Sequence, residues 1–215
     1  MKKFFVVTCL IAFLLLDSCE PAATFDKPQP DNLNSLISFP KRLQGIYLSA
    51  DQASKLKINE SLIIRCYDLD IKEHKDSIGS NYKIIGDSLK KLSDGTSVKI
   101  KIEGDSVIQH VNWIDTLFSI SADHILKHFR GYYFLNSRYN ENGWEVEKIA
   151  LSKGILTIGS LSSKDDIQKL KEITEKADDT TSTYFSLTKR QFKKFIRNNG
   201  FADQEIFTRI KEIKG

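Results

Sequence analysis

Val98-Lys99-Ile100-Lys101-Ile102-Glu103-Gly104-Asp105 is the stretch that decides the fold. Apolar and basic residues alternate, and a period of two puts Val98, Ile100 and Ile102 on one face of a strand. Glu103-Gly104-Asp105 then predicts a tight turn. Ser106 to Trp113 and Asp115 to Ile120 take up the alternation again, as the return strand of a hairpin would. Ser93-Asp94-Gly95 is another turn signal. Turns at such short, fairly even intervals predict an antiparallel sheet, sandwich or barrel rather than a βαβ fold.

Working toward the N-terminus, Gly45-Ile46-Tyr47 is followed by the apolar runs around Leu56 and Ile63. Working toward the C-terminus, Gly131-Tyr132-Tyr133 is followed by those around Ile149 and Ile158. In each copy a Gly-x-Tyr strand precedes a hairpin with a short polar turn, and the second copy is longer through a loop at Asn136 to Gly143. Glycine before an aromatic at a strand start suits close backbone approach with a ring packed over the gap. The pattern resembles the opening of lipocalin-like small barrels, where Gly-x-Trp plays that part. That resemblance implies a barrel and a small-ligand carrier; the alternative is coincidence between two β-hairpins.

Past Ser160 the period changes. Ser163-x-x-Asp166 predicts a helix cap, with Ile167, Leu170 and Ile173 on one stripe. Thr188-x-x-Gln191 predicts a capping box, with Leu187 and Phe192 as its hydrophobic staple. Phe192, Phe195 and Ile196 form that helix's apolar face, and Gly200 suits the C′ position, with Phe201 closing a Schellman contact. Gln204 to Lys211 alternates as a final strand. The fold class expected is α+β, mainly β: antiparallel, barrel-like hairpins plus two C-terminal helices. Residues 40–215 make a single β-rich domain, divisible into halves 40–120 and 121–215.

The first 39 residues read differently. Lys2 and Lys3 precede an apolar run from Phe4 to Leu16, thirteen residues long. A spanning helix needs about 20, so the run suits a signal peptide over 1–18. Leu16-Asp17-Ser18-Cys19 resembles the lipobox that signal peptidase II cleaves in bacterial lipoproteins, although Asp17 departs from the usual small or apolar choice. The resemblance implies cleavage between Ser18 and Cys19, a diacylglyceryl thioether on Cys19, and acylation of the new amino group with chains such as palmitate. An uncleaved anchor and an ordinary secretory signal are the alternatives. Residues 19–39 hold Pro21, Pro28 and Pro30 and no glycine, which predicts a disordered tether reaching at most about 65 Å. The chain resembles uncharacterised lipoproteins of the Bacteroidota type. In lipoproteins of that type surface export goes with an acidic cluster after the cysteine; here one acid, Glu20, follows Cys19, so the resemblance implies the periplasmic face of the outer membrane.

Cleavage leaves 197 residues with 30 basic and 27 acidic side chains, a net +3. That small, scattered excess gives no case for nucleic acid as a partner. Cys9 leaves with the signal and Cys19 is taken by lipid, so Cys66 is the remaining thiol and no intramolecular disulfide can form. Cys66 shares a strand face with Leu62 and Ile64 and reads as a small core residue.

Candidate chemistry is sparse. His124 and His128 stand four apart near a helix start at Ser121, a spacing seen in zinc sites, but no third ligand accompanies them and no metal is expected. Lys189, Arg190, Lys193, Lys194 and Arg197 make a basic helix face, read as solvated, with an anionic surface as the alternative. Asp87-Ser88 and Asp105-Ser106 read as turn chemistry rather than nucleophiles. Trp113, Trp144, Tyr132, Tyr133 and Tyr139 are core aromatics or the lining of a ligand pocket. No catalytic residue and no cofactor is assigned. The function expected is a lipid-anchored, non-catalytic binding or structural module of the envelope, with a possible envelope protein partner and with a lipocalin-like carrier as the alternative.

Overall fold

The computed structural model describes residues 22–175 and 183–210. Two short strands come first, β1 (Thr24–Phe25) and β2 (Ser35–Leu36). The main run begins with β3 (Gly45–Ser49), β4 (Ser54–Ile58) and the long β5 (Leu62–His74). A separate small sheet holds β6 (Tyr82–Ile85), β7 (Ser88–Lys91) and β8 (Ser97–Lys99). Next come β9 (Lys101–Glu103), the long β10 (Ser106–Ser119), β11 (His124–Phe129), β12 (Tyr132–Arg138), β13 (Trp144–Ser152) and β14 (Ile155–Ser160). Helix α1 (Lys164–Ile173), β15 (Tyr184–Phe185) and helix α2 (Lys189–Arg197) precede the last strand, β16 (Asp203–Arg209).

The large sheet has the order β2-β11-β12-β13-β14-β16-β3-β4-β5-β10-β9. Apart from the short outer strands this is an antiparallel meander in chain order, with β16 joining its two halves between β14 and β3. β10 and β11 stand near opposite ends of the path yet are joined by only 120–123, so the sheet must curl. Phe118 of β10 meets the His124 ring of β11 at 5.5 Å. One core fills the curl, with Tyr47, Leu56, Ile63, Phe118, Leu126, Leu135, Ile158 and Phe207 among its members. The antiparallel, barrel-like architecture expected from the alternation is therefore present. Both Gly-x-Tyr copies lie in it: β3 leads into the β4–β5 hairpin as β12 leads into the β13–β14 hairpin, and Tyr47 and Tyr133 enter the same core.

A second core lies outside the sheet. Phe134 of β12 and Val146 of β13 pack there against Leu170 of α1 and Phe192 and Phe195 of α2. Alternation sends Tyr133 and Leu135 inward and Phe134 outward, which is why Tyr132-Tyr133-Phe134-Leu135 reads as an unbroken apolar run. The helix caps are those the sequence spells. Ser163 accepts from the Asp166 N–H, and Thr188 and Gln191 form the capping box. The end of α2 needs a correction. Asn199, at φ 56°, takes the left-handed C′ position, and Gly200 follows it. The Gly200 N–H donates to Phe195 O at 3.1 Å and the Asn199 N–H to Ile196 O at 3.2 Å, a full Schellman pair. Glycine is needed for room instead, since a Cβ at residue 200 would sit 2.4 Å from the Phe195 ring.

The expected tether is corrected over residues 22–39, which are built into the domain. β1 pairs with β13 and β15, with Phe25 opposite Trp144 and Phe185. Phe25 and Phe39 are fully buried. The Asn136 side chain holds Gln29 twice, accepting from its N–H at 2.5 Å and donating to its carbonyl at 3.0 Å. Lys127 Nζ donates to Pro28 O and Pro30 O, both at 2.8 Å. Prolines favour extended backbone, and extended backbone docks on a sheet as readily as it spans a gap. Burial of two phenylalanines, each worth roughly 1.5–3 kcal/mol, favours docking. Residues 1–18 and Cys19 lie outside the described residues.

Candidate functional site

On four strands the inward register of the barrel ends in polar residues. On β5 the inward series runs Ile63, Arg65, Tyr67. On β13 it runs Ile149, Glu147, Glu145; on β14, Ile158 then Ser160; on β16, Phe207 then Glu205. Period-two geometry alone carries these polar residues onto the face that builds the core. They form a polar mouth above Leu135, Ile158 and Phe207.

Two clefts open there and meet at Leu135 and Glu147. The smaller, about 170 Å³, is walled by Ile63, Leu117 and Ile158 with Arg65 and Glu205. A bulge between Thr116 and Phe118 takes Leu117 out of the β5–β10 ladder, leaving it free to form this wall. The larger, about 330 Å³, adds Glu145, Ser137, Ser160 and Ser162, with Ala22 and Ala23 also in its lining.

The electrostatics are unbalanced. Arg65 Nη2 pairs with Glu205 Oε2 at 2.5 Å, and its guanidinium lies over the Phe207 ring at 5.5 Å. Arg65 Nε is buried without an acceptor. Glu147 accepts no hydrogen bond and makes no ion pair among the described residues. Burial first, then the charges of Glu145 and Glu205, push its carboxyl up to about 7 against the pull of Arg65. Burial also raises the Glu145 carboxyl. Ser160 and Ser162 both donate to Asp203 Oδ2, at 3.4 and 2.5 Å. Among the described residues no three or more His, Cys, Asp or Glu side chains stand close enough to hold a metal ion.

The residues singled out from sequence lie elsewhere and do not converge. His124 and His128 are on strand β11, not a helix, because the segment pairs along its whole length with β12. Four residues along a strand span about 13 Å, far beyond a shared ligand. His124 packs on Phe118, and His128 on Tyr133. Cys66 does share a face with Leu62 and Ile64, but that face is the barrel's outer one, opposite Ile63, so the thiol is half-buried rather than a core member. Asp87 and Asp105 occupy turns, and Ser88 and Ser106 are the first residues of β7 and β10. Trp144 lies under Arg138 at 4.4 Å, Tyr132 under Lys148 at 5.5 Å, and Tyr133 under Arg42 at 5.1 Å. Tyr139 is exposed.

Two other surfaces stand out. The distal halves of β5 and β10 project from the barrel with β6 to β9. Trp113 stacks on Tyr67 there at 4.2 Å, and Ile114, Ile71 and Ile102 are exposed. Helix α2 docks through Phe192, Phe195 and Ile196. Its opposite side, with Arg190, Lys193, Lys194 and Arg197, flanks an open groove in which Glu175 is the acid among the described residues.

Sequence reasoning missed Arg65, Glu147 and Glu205. The available signal was register: each is an odd charge two residues from a core position on an alternating strand. No family model, curated protein or solved structure matches the chain.

Proposed function

We propose that the protein is a lipoprotein held by lipid on Cys19 at the outer membrane, facing the periplasm, and that it works there as a non-catalytic binding module. The reading is carried by Leu16-Asp17-Ser18-Cys19 behind its basic and apolar leader. The fold adds a consequence. With residues 22–39 packed against the barrel, only Glu20 and Pro21 separate Cys19 from Ala22, about 10 Å of chain at most. The domain would then be held against the lipid surface rather than standing clear of it. Buried acyl chains contribute about 0.8 kcal/mol per CH₂, so two or three chains would make that hold lasting.

A binding role suits the mouth better than a catalytic one. A carboxyl near neutrality can serve as a general acid or base, but Ser160 and Ser162 are tied to Asp203, and among the described residues no nucleophile paired with a base lines the cleft beside Glu147. The projecting arm offers an apolar surface to an envelope protein partner. A small-ligand carrier is the second reading, favoured by the meander order and the cleft. The core around Tyr47, Phe118 and Phe207 occupies the barrel, and the two clefts at its mouth, about 170 and 330 Å³, reach only the low end of the ~300–1,000 Å³ of an ordinary small-molecule site, so any cargo would be small.

Intact mass of the membrane-extracted protein tests the anchor. The expected mass is that of residues 19–215 plus acyl chains, and Cys19→Ala should lose both the acyl mass and the cleavage. An unmodified wild-type mass, or retention of residues 1–18, would overturn it.

A further inference from the structure

The mouth of the barrel is built for a ligand of definite chemistry. Three carboxylates, Glu145, Glu147 and Glu205, line the two clefts, and Arg65 is the guanidinium that offsets them. Arg65 is already engaged with Glu205. The half-buried Glu147 carboxyl, where the clefts meet, has neither hydrogen bond nor ion pair among the described residues, so its bonding capacity is open to the cleft. Beside it, Arg65 Nε is a buried donor with no acceptor. The complementary ligand therefore brings a cation with N–H donors to Glu147 and an acceptor oxygen to Arg65. Among the described residues no three acids stand together as a metal site, and a cation bearing N–H donors suits the lone Glu147 carboxyl. Ile63, Leu117, Leu135 and Ile158 supply an apolar wall for a short alkyl link between the two groups.

We infer that the cleft binds a small amino alcohol, its primary ammonium on Glu147 and its oxygen on Arg65. This deepens the binding-module reading and rests on it, but it does not depend on lipid at Cys19. Two sources supply that chemistry, a free amino alcohol and an ethanolamine phospholipid headgroup. The second is close at hand if Cys19 is acylated, because Ala22 and Ala23, three and four residues downstream, line the larger cleft.

The test uses the full chain extracted from membranes and titrated with ethanolamine hydrochloride, with ethylene glycol and salt-matched chloride as controls. Ethanolamine should raise the midpoint of thermal unfolding where ethylene glycol does not. Glu147→Gln keeps the shape of the side chain but removes its charge and replaces one acceptor oxygen by an NH₂ donor, and should weaken ethanolamine binding about tenfold or more. Arg65→Lys should weaken it while leaving the unfolding transition cooperative. Failure of ethanolamine to bind the wild type, or equal binding to Glu147→Gln, would overturn the inference. The source is read by repeating the titration in nanodiscs. Competition by phosphatidylethanolamine discs, and none by phosphatidylglycerol discs, supports the headgroup; equal titration in both supports a free amino alcohol. An unlipidated mass would defeat the anchor and leave this titration unaffected, so the two failures are distinct.

Discussion

Two arginines lie over aromatic rings of the same core, and they end differently. Arg209 covers Tyr47 at 4.9 Å, donates to the Tyr47 hydroxyl, and reaches Arg42 O at 2.5 Å. The Tyr47 hydroxyl in turn donates to Leu43 O at 2.7 Å. Every group in that chain has a partner. Arg65 covers Phe207 and meets Glu205, but its Nε has no acceptor and Glu147 beside it has no donor. Glu205 and Arg209 flank Phe207 on one face of β16, so the two arrangements sit on either side of a single ring. The same device seals the core on one side and leaves bonding capacity open on the other. Structural polar networks tend to be satisfied, whereas an unsatisfied one with a cleft beside it points to a ligand.

Substitutions can break that contrast. The largest effect is expected at the sealed side. Tyr47→Ala removes a fully buried ring and leaves Arg209 with Arg42 O alone of its two acceptors, and should cost about 3–5 kcal/mol in urea unfolding. A cost under 1 kcal/mol would mean that the Tyr–Arg seal does not organise the core.

The next effect has the opposite sign and lies at the open side. Glu147 titrates near 7 in the fold and near its ordinary 4.5 when unfolded. The native state thus holds a proton that the unfolded chain releases, so its contribution to stability is intact below about pH 4.5 and is lost as pH rises through 7. Glu147→Gln should therefore stabilise the protein at pH 8, by up to about 3 kcal/mol, and change little at pH 4. Equal effects at the two pH values would show that Glu147 is not the strained group of the mouth. Its loss of ethanolamine binding alongside a gain in stability would mark a residue kept for function.

The smallest effect is expected on the arm. Trp113 stacks on Tyr67 but is 43% exposed, with its indole N–H on Asp115 at 3.2 Å. Trp113→Ala should cost no more than about 1 kcal/mol by the same unfolding measurement. A cost near that of Tyr47→Ala would make the arm part of the cooperative core rather than a projecting surface.

The chain itself determined whatever depends on near neighbours. The Gly104 turn specifies the β9–β10 hairpin because turn geometry is local, but the alternation from Val98 to Ile102 does not make one strand: it breaks at the buried Ile100, with Val98 in β8 of the small sheet and Ile102 in β9 of the large one. Thr188 with Gln191, and Leu187 with Phe192, specify the start of α2 because capping partners stand three to five residues apart. Tertiary structure alone decided what depends on distant partners. Prolines near the N-terminus suggest a spacer until Asn136 is found holding Gln29 from 107 positions away. His124 and His128 suggest a helix face until β12 claims the segment. Arg65 and Glu205 are 140 positions apart, and only closure of the sheet sets them beside Glu147. Local rules choose the elements, but a cleft exists only where the elements meet, and no spacing along the chain encodes that meeting.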